Sequence, residues 1–228
     1  MCSVNFMDTT LSVEEQAVAD RIQELKDMLG EDLLILGHHY QRDSIVMHAD
    51  FLGDSFMLSQ KAAESKAKHI VFCGVHFMAE SADILTSDDQ NVILPNLRAG
   101  CSMADMATLS EVEVAWGEIL KESGLKDPIT RDDPGQPVGK EEAYLVPVTY
   151  MNSSADLKDF VGRHGGVVCT SSNAEGVLNW AFERAGPRGA VLFFPDQHLG
   201  RNTGLAMGIS SEHMPTWTPG IGAMGELK

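Results

Sequence analysis

Short apolar runs alternate along the chain with stretches whose apolar positions recur every three or four residues. Val13, Val18, Ile22, Leu25 and Leu29 follow the helical period, so residues 12–29 predict an amphipathic helix. Leu33 to Gly37 predicts a short buried strand and 44–50 a short helix. Phe51 to Asp54 reads as a strand, and 55–65 as a helix with Ser55 near its N-cap. Residues 70–75 predict a strand, 77–85 a helix and 92–94 a strand. A second amphipathic helix is expected over 109–122. The Pro-, Gly- and charge-rich stretch 126–142 is expected as an exposed loop insertion, and strand character resumes over 144–148. Alternating β and α elements of this kind predict an α/β fold with parallel sheets covered by helices.

The pattern also repeats weakly. Leu33 to Tyr40, Ala49 to Ser55 and Val71 to Phe77 have counterparts in Leu145 to Asn152, Asp159 to Gly162 with Val167 to Ser172, and Val191 to Gln197. Each copy runs strand, helix, strand, serine at a helix start, helix, strand. Such a repeat predicts duplicated domains, here 1–103 and 104–228.

Composition narrows the class. A hydrophobic content of 43% and a charged content of 22% over 228 residues are globular values. Seventeen basic against thirty-three acidic residues give a net charge of −16, which argues against general nucleic-acid binding. An anionic substrate would therefore need a local pocket of backbone N–H groups. No apolar run approaches the length of a membrane span, and Met1 to Leu11 lacks the basic and apolar regions of a secretory leader. Cys2, Cys73, Cys101 and Cys169 suggest no disulfide framework. The expectation is a soluble cytoplasmic protein with reduced thiols and no membrane partner.

Candidate chemistry gathers after the strands. His38, His39 and Tyr40 follow the first strand of copy one, and Tyr150 and Asn152 end that of copy two. Ligands in open α/β sheets bind beyond the carboxyl ends of strands. Ser55 and Ser171 are placed where a helix N-terminus offers free N–H groups to an anion, and the two sets are expected to serve one anion pocket. Cys101, in Arg98-Ala99-Gly100-Cys101-Ser102, is expected to open a helical stretch, where the helix end and Arg98 would favour a thiolate suited to metal ligation or nucleophilic attack. Plainer readings stand beside these. The serines would also serve as simple caps, the histidines as loop residues, Tyr150 as a core aromatic, and Cys73 and Cys169 as small buried hydrophobes. His198 would line the same cleft or support it.

Taken together, Gly37-His38-His39-Tyr40-Gln41, Ala49 to Ser55, Gly74 to Glu80, Gly100 to Ala104, Tyr150 to Ser153, Cys169 to Ala174 and Pro195 to Gly200 resemble the quinolinate synthases. The resemblance runs from roughly residue 15 to the C-terminus. It implies three pseudo-symmetric three-layer αβα domains around a [4Fe–4S] cluster held by three cysteines, with an open iron acting as Lewis acid. It implies condensation of iminosuccinate with dihydroxyacetone phosphate to quinolinate, in NAD biosynthesis. By position, Cys101 resembles a cluster ligand. His38, Ser55, Tyr150, Asn152 and Ser171 resemble substrate-contacting residues, and Tyr40, His38 and Tyr150 the proton-moving and orienting groups of the site. Association with the L-aspartate oxidase that supplies iminosuccinate, and with further copies of the chain, is the partner expectation.

The sequence also departs from the family pattern. Two further cluster cysteines and a His-x-Glu pair are not found, so the expectation is two of three domains, one cluster ligand, and little or no activity from this polypeptide alone. The alternatives are a non-catalytic α/β binder of small anions, and a hydrolase or lyase using Cys101 as nucleophile with His38 as base.

Overall fold

The computed structural model describes residues 11–131, 138, 139, 141–218 and 222–224. The chain forms two compact units that meet in sequence at Cys101 and Ser102.

The first unit opens with α1 (Val13–Leu29), started by a capping box between Ser12 and Glu15. Strands β1 (Leu33–His38), β2 (Phe51–Gly53), β3 (His69–Cys73) and β4 (Asn91–Ile93) form one parallel sheet in the order β2-β1-β3-β4. Between them run α2 (Asp43–Val46), α3 (Ser55–Glu64) and α4 (His76–Leu85). Strand alternation divides the side chains between two faces. Leu33, Ile35, Val71 and Ile93 turn toward α1, across an apolar cleft of about 670 Å³. Leu34, Leu36, Ile70 and Phe72 take the opposite face, where α3 and α4 bury Leu58, Ala62, Met78 and Ala82.

The second unit contains α5 (Leu109–Ser123), β5 (Leu145–Tyr150), α6 (Ala155–Arg163), β6 (Val167–Cys169), α7 (Ala174–Ala185), β7 (Ala190–Phe194) and α8 (His198–Ala206). Its parallel sheet has the order β6-β5-β7. Both faces are covered. Val112, Trp116 and Ile119 of α5 and Leu157, Phe160 and Val161 of α6 pack with Leu145 and Phe194 on one side. On the other, Ala174, Ala181 and Ala185 of α7 pack with Val146, Val148 and Cys169. An antiparallel hairpin, β8 (Thr216–Thr218) and β9 (Gly222–Met224), follows.

The α/β class with parallel sheets is therefore as the pattern predicts. The strand orders β2-β1-β3 and β6-β5-β7 place the first, second and third strands of each copy alike. Among the described residues no helix is long and apolar enough to cross a membrane.

Ser55 stands beside the N-cap of α3, as expected, being the first residue of the helix; the cap itself is Asp54, its Oδ1 accepting from Met57 N at 2.8 Å, so only the plainer reading of Ser55 as a simple cap falls. Two other local expectations need correction. Ser171 lies in the turn before α7, whose N-cap is Asn173. Cys101 does not open a helix. A turn and a short 3-10 segment (Ala104–Met106) follow it, and α5 starts only where Thr108 and Glu111 form a capping box. Of the predicted insertion 126–142, a 3-10 turn (Pro128–Thr130) is observed, and 132–137 and 140 lie outside the described residues.

Candidate functional site

Parallel pairing lines up the carboxyl ends of the strands, and the candidate residues lie at those ends. In the first unit His38 closes β1 in register with Gly53 of β2, two residues before Ser55. A Cβ at Gly53 would stand 1.7 Å from Met57 Cε, the flexible end of a side chain in the first turn of α3. The chain turns directly after His38. His39 N donates to Gly53 O (3.2 Å) and Gln41 N to His38 O (2.9 Å). Three rings collect at this turn: His38 and His39 stack at 4.5 Å, His38 and Tyr40 lie at 4.8 Å, and His39 and Tyr40 at 4.3 Å. His38 is buried, whereas Tyr40 is 83% exposed. Burial, with a smaller contribution from His39, holds the His38 imidazole below the ordinary histidine range; Asp54 opposes the shift.

The loop carrying Cys101 is tied to the same sheet edge. His76 N, at the start of α4, donates to Ala99 O at 2.8 Å, and Gly100 N donates to Arg98 O at 2.9 Å. Cys101 is half-buried. The thiolate-favouring helix end expected for it is absent.

In the second unit Tyr150 closes β5 opposite Cys169. Met151 N donates to Cys169 O (2.7 Å) and Ser153 Oγ to Tyr150 O (2.7 Å), so the turn bearing Asn152 is fixed by backbone and buried hydroxyl alike. Ser171 is exposed beyond β6, in a turn where Asn173 Oδ1 accepts from Thr170 N at 2.7 Å. Asp196, just past β7, is buried. Its Oδ1 accepts from His198 N (2.6 Å) and Leu199 N (3.2 Å), and its Oδ2 has no partner among the described residues. Sequence reasoning passed over this carboxylate, although an Asp just ahead of a helix is itself a capping signal.

The cysteines separate by environment. Burial pushes the Cys169 thiol up to about 12, the Asp196 carboxylate adding to it against an opposing backbone hydrogen bond, and burial likewise raises Cys73. Cys169 is the small buried hydrophobe expected of it, whereas Cys73 is only half-buried and lines the apolar cleft beneath α1. Among the described residues no group of three or more His, Cys, Asp or Glu side chains is arranged to hold a metal ion. These residues alone therefore do not form a cradle for an iron–sulfur cluster.

The sequence model described as "Quinolinate synthetase A protein" matches residues 20–221. The chain belongs to the quinolinate synthase family. It is 60% identical over 200 residues to the quinolinate synthase of Corynebacterium glutamicum, covering 87% of this chain and 46% of that protein. The quinolinate synthases of Rhodopirellula baltica and Acidobacterium capsulatum are each 50% identical, over 94% and 93% of this chain and 52% of their own lengths. The chain thus spans about half the length of the curated relatives it matches. Family membership rests on these matches, and the site residues on their positions at the strand ends.

Proposed function

We propose that the chain serves the quinolinate synthase reaction, condensing iminosuccinate with dihydroxyacetone phosphate to quinolinate with loss of phosphate and water, in the cytoplasm. The observation that carries this reading is the placement of His38, Ser55, Tyr150, Asn152 and Ser171 at strand carboxyl ends in a chain of this family. The two units are taken as two of the family's pseudo-symmetric domains, since their sheets share one strand order.

In the first unit, Ser55 and the N–H groups opening α3 bind phosphate or carboxylate oxygens, which the net charge of −16 would otherwise repel. His38 hydrogen-bonds the substrate and exposed Tyr40 moves protons during phosphate loss and ring closure. In the second unit, Tyr150 and Asn152 orient the diacid and Ser171 hydrogen-bonds a carboxylate. Cys101 is the ligand this chain offers a [4Fe–4S] cluster. The described residues do not complete that cluster's ligand set, so no step above is routed through it.

Quinolinate formation from the two substrates, followed after anaerobic iron–sulfide reconstitution of a full-length relative, tests the reading. There the broad visible absorption band is expected to be lost when the cysteine matching Cys101 is replaced by alanine, whereas this chain alone is expected to show little or no band. Tyr150→Phe, placed in a full-length relative, is expected to lower turnover by about 10²-fold or more with the absorption band unchanged. Full turnover in that variant would remove Tyr150 from the chemistry. A second reading, a binder of small anions without turnover, is favoured because no group of three or more His, Cys, Asp or Glu side chains among the described residues is arranged to hold a metal ion. Phosphate-ester binding without quinolinate formation would select it.

A further inference from the structure

Two hydrogen bonds at the tip of β1 have opposite consequences for neighbouring imidazoles. Tyr40 N reaches His38 Nδ1 at 3.4 Å. A backbone N–H only donates, so His38 Nδ1 must carry the lone pair and the ring proton must sit on Nε2. His39 Nδ1 lies 2.9 Å from Gly53 O. A carbonyl only accepts, so His39 Nδ1 must carry the proton, which leaves the lone pair on Nε2.

We propose that His38 and His39 are held as opposite neutral tautomers, so that the tip of β1 presents an imidazole N–H donor beside an imidazole lone pair to a substrate fragment with an acceptor oxygen next to a hydroxyl. The pairing is built into the fold. The register of His38 with Gly53 brings the Gly53 carbonyl to His39, and the turn after His38 brings the Tyr40 amide back over its ring. The 4.5 Å stack, with an interplanar angle of 24°, keeps the two rings nearly parallel. Burial of His38 disfavours its doubly protonated form, which would sever the bond from Tyr40 N. Of its titratable neighbours, His39 disfavours protonation of His38 and Asp54 favours it.

The inference deepens the reading above. A hydroxy ketone such as dihydroxyacetone phosphate carries this oxygen pattern: His38 Nε2–H donates to its carbonyl or phosphate oxygen, and His39 Nε2 accepts from its hydroxyl. His39 thereby becomes a recognition residue, a role that sequence reading did not assign to it.

Two-bond ¹H–¹⁵N correlation spectra of ring-labelled protein test the tautomers without any activity assay. The signals are assigned with His38→Gln and His39→Gln, or His39→Asn should the first fold poorly. At about pH 8, where an ordinary imidazole is neutral, the Nε2–H pattern is expected for His38 and the Nδ1–H pattern for His39. The same tautomer on both rings, or the reverse assignment, overturns the proposal. With the tautomers as expected, dihydroxyacetone phosphate should shift both sets of signals and inorganic phosphate should leave His39 in place. Correct tautomers with no response to dihydroxyacetone phosphate would uphold the pair and remove that substrate from the proposed function.

Discussion

Cys169 shows how far one buried residue can couple this fold to pH. Its thiol is raised from 9.0 to about 12, so between those values the unfolded chain loses a proton that the folded chain keeps. Its contribution to stability is therefore complete below pH 9.0 and declines as pH rises toward 12. Urea midpoints measured at rising pH should fall less steeply in Cys169→Ala than in the parent, and parallel slopes would refute this. The same burial predicts that native Cys169 resists iodoacetamide until the protein is unfolded. A second single-residue constraint is Gly166, at the entry to β6. A Cβ there would lie 1.9 Å from Pro147 O, a backbone atom that cannot step aside. Gly166→Ala is expected to destabilise by about 3 kcal/mol, near the upper end for overpacking, as measured by urea unfolding. At Gly53 the obstacle is the flexible end of Met57, so Gly53→Ala should be the milder change.

At the level of elements, helix ends carry separable amounts of stability. Thr108 and Glu111 cap α5 reciprocally, Thr108 N donating to Glu111 Oε2 at 2.9 Å, and Gly124 closes the helix with φ +70°. Thr108→Ala should cost about 1 kcal/mol in urea unfolding. His164, at the end of α6, pairs with Asp127, which also accepts from Trp116 Nε1 of α5 at 3.3 Å, so one carboxylate joins two helices and the turn at Pro128. His164→Ala leaves that half-buried carboxylate short of a donor and should cost about 2 kcal/mol. Much of this layer is legible in the residues. The period of Val13 to Leu29 and the apolar run at Leu33 give α1 and β1 nearly to the residue, and the amphipathic stretch 109–122 gives α5. The misplaced helix start has a local cause: Gly100-Cys101-Ser102 imitates a helix start that the backbone does not take. The ring arrangement of His38 and His39 was not legible, because a register with Gly53, fourteen residues away from His39, decides it.

Over the whole molecule, the repeated strand order means that polar residues following equivalent strands collect at the same edge of each sheet. That explains why sequence reasoning could find candidate residues in both halves before their geometry was known. It could not supply the environment of Asp196, which depends on packing around β7 and α8. A net charge of −16 sets the long-range field against any phosphate ester approaching those edges. Stopped-flow association of dihydroxyacetone phosphate with the chain should accelerate as salt rises from about 10 to 150 mM, since added ions shorten the reach of the repulsion. A rate that falls with salt would point to a local positive field instead. The two faces of the first sheet also differ: α3 and α4 seal one, while α1 spans the other above a wide apolar gap, tied down by Lys26, which donates to His48 O and pairs with Asp50. Amide protons of α1 should consequently exchange with deuterium through a partial opening that leaves β1 and β3 protected, so the protein would shed its first helix well before it melts as a whole.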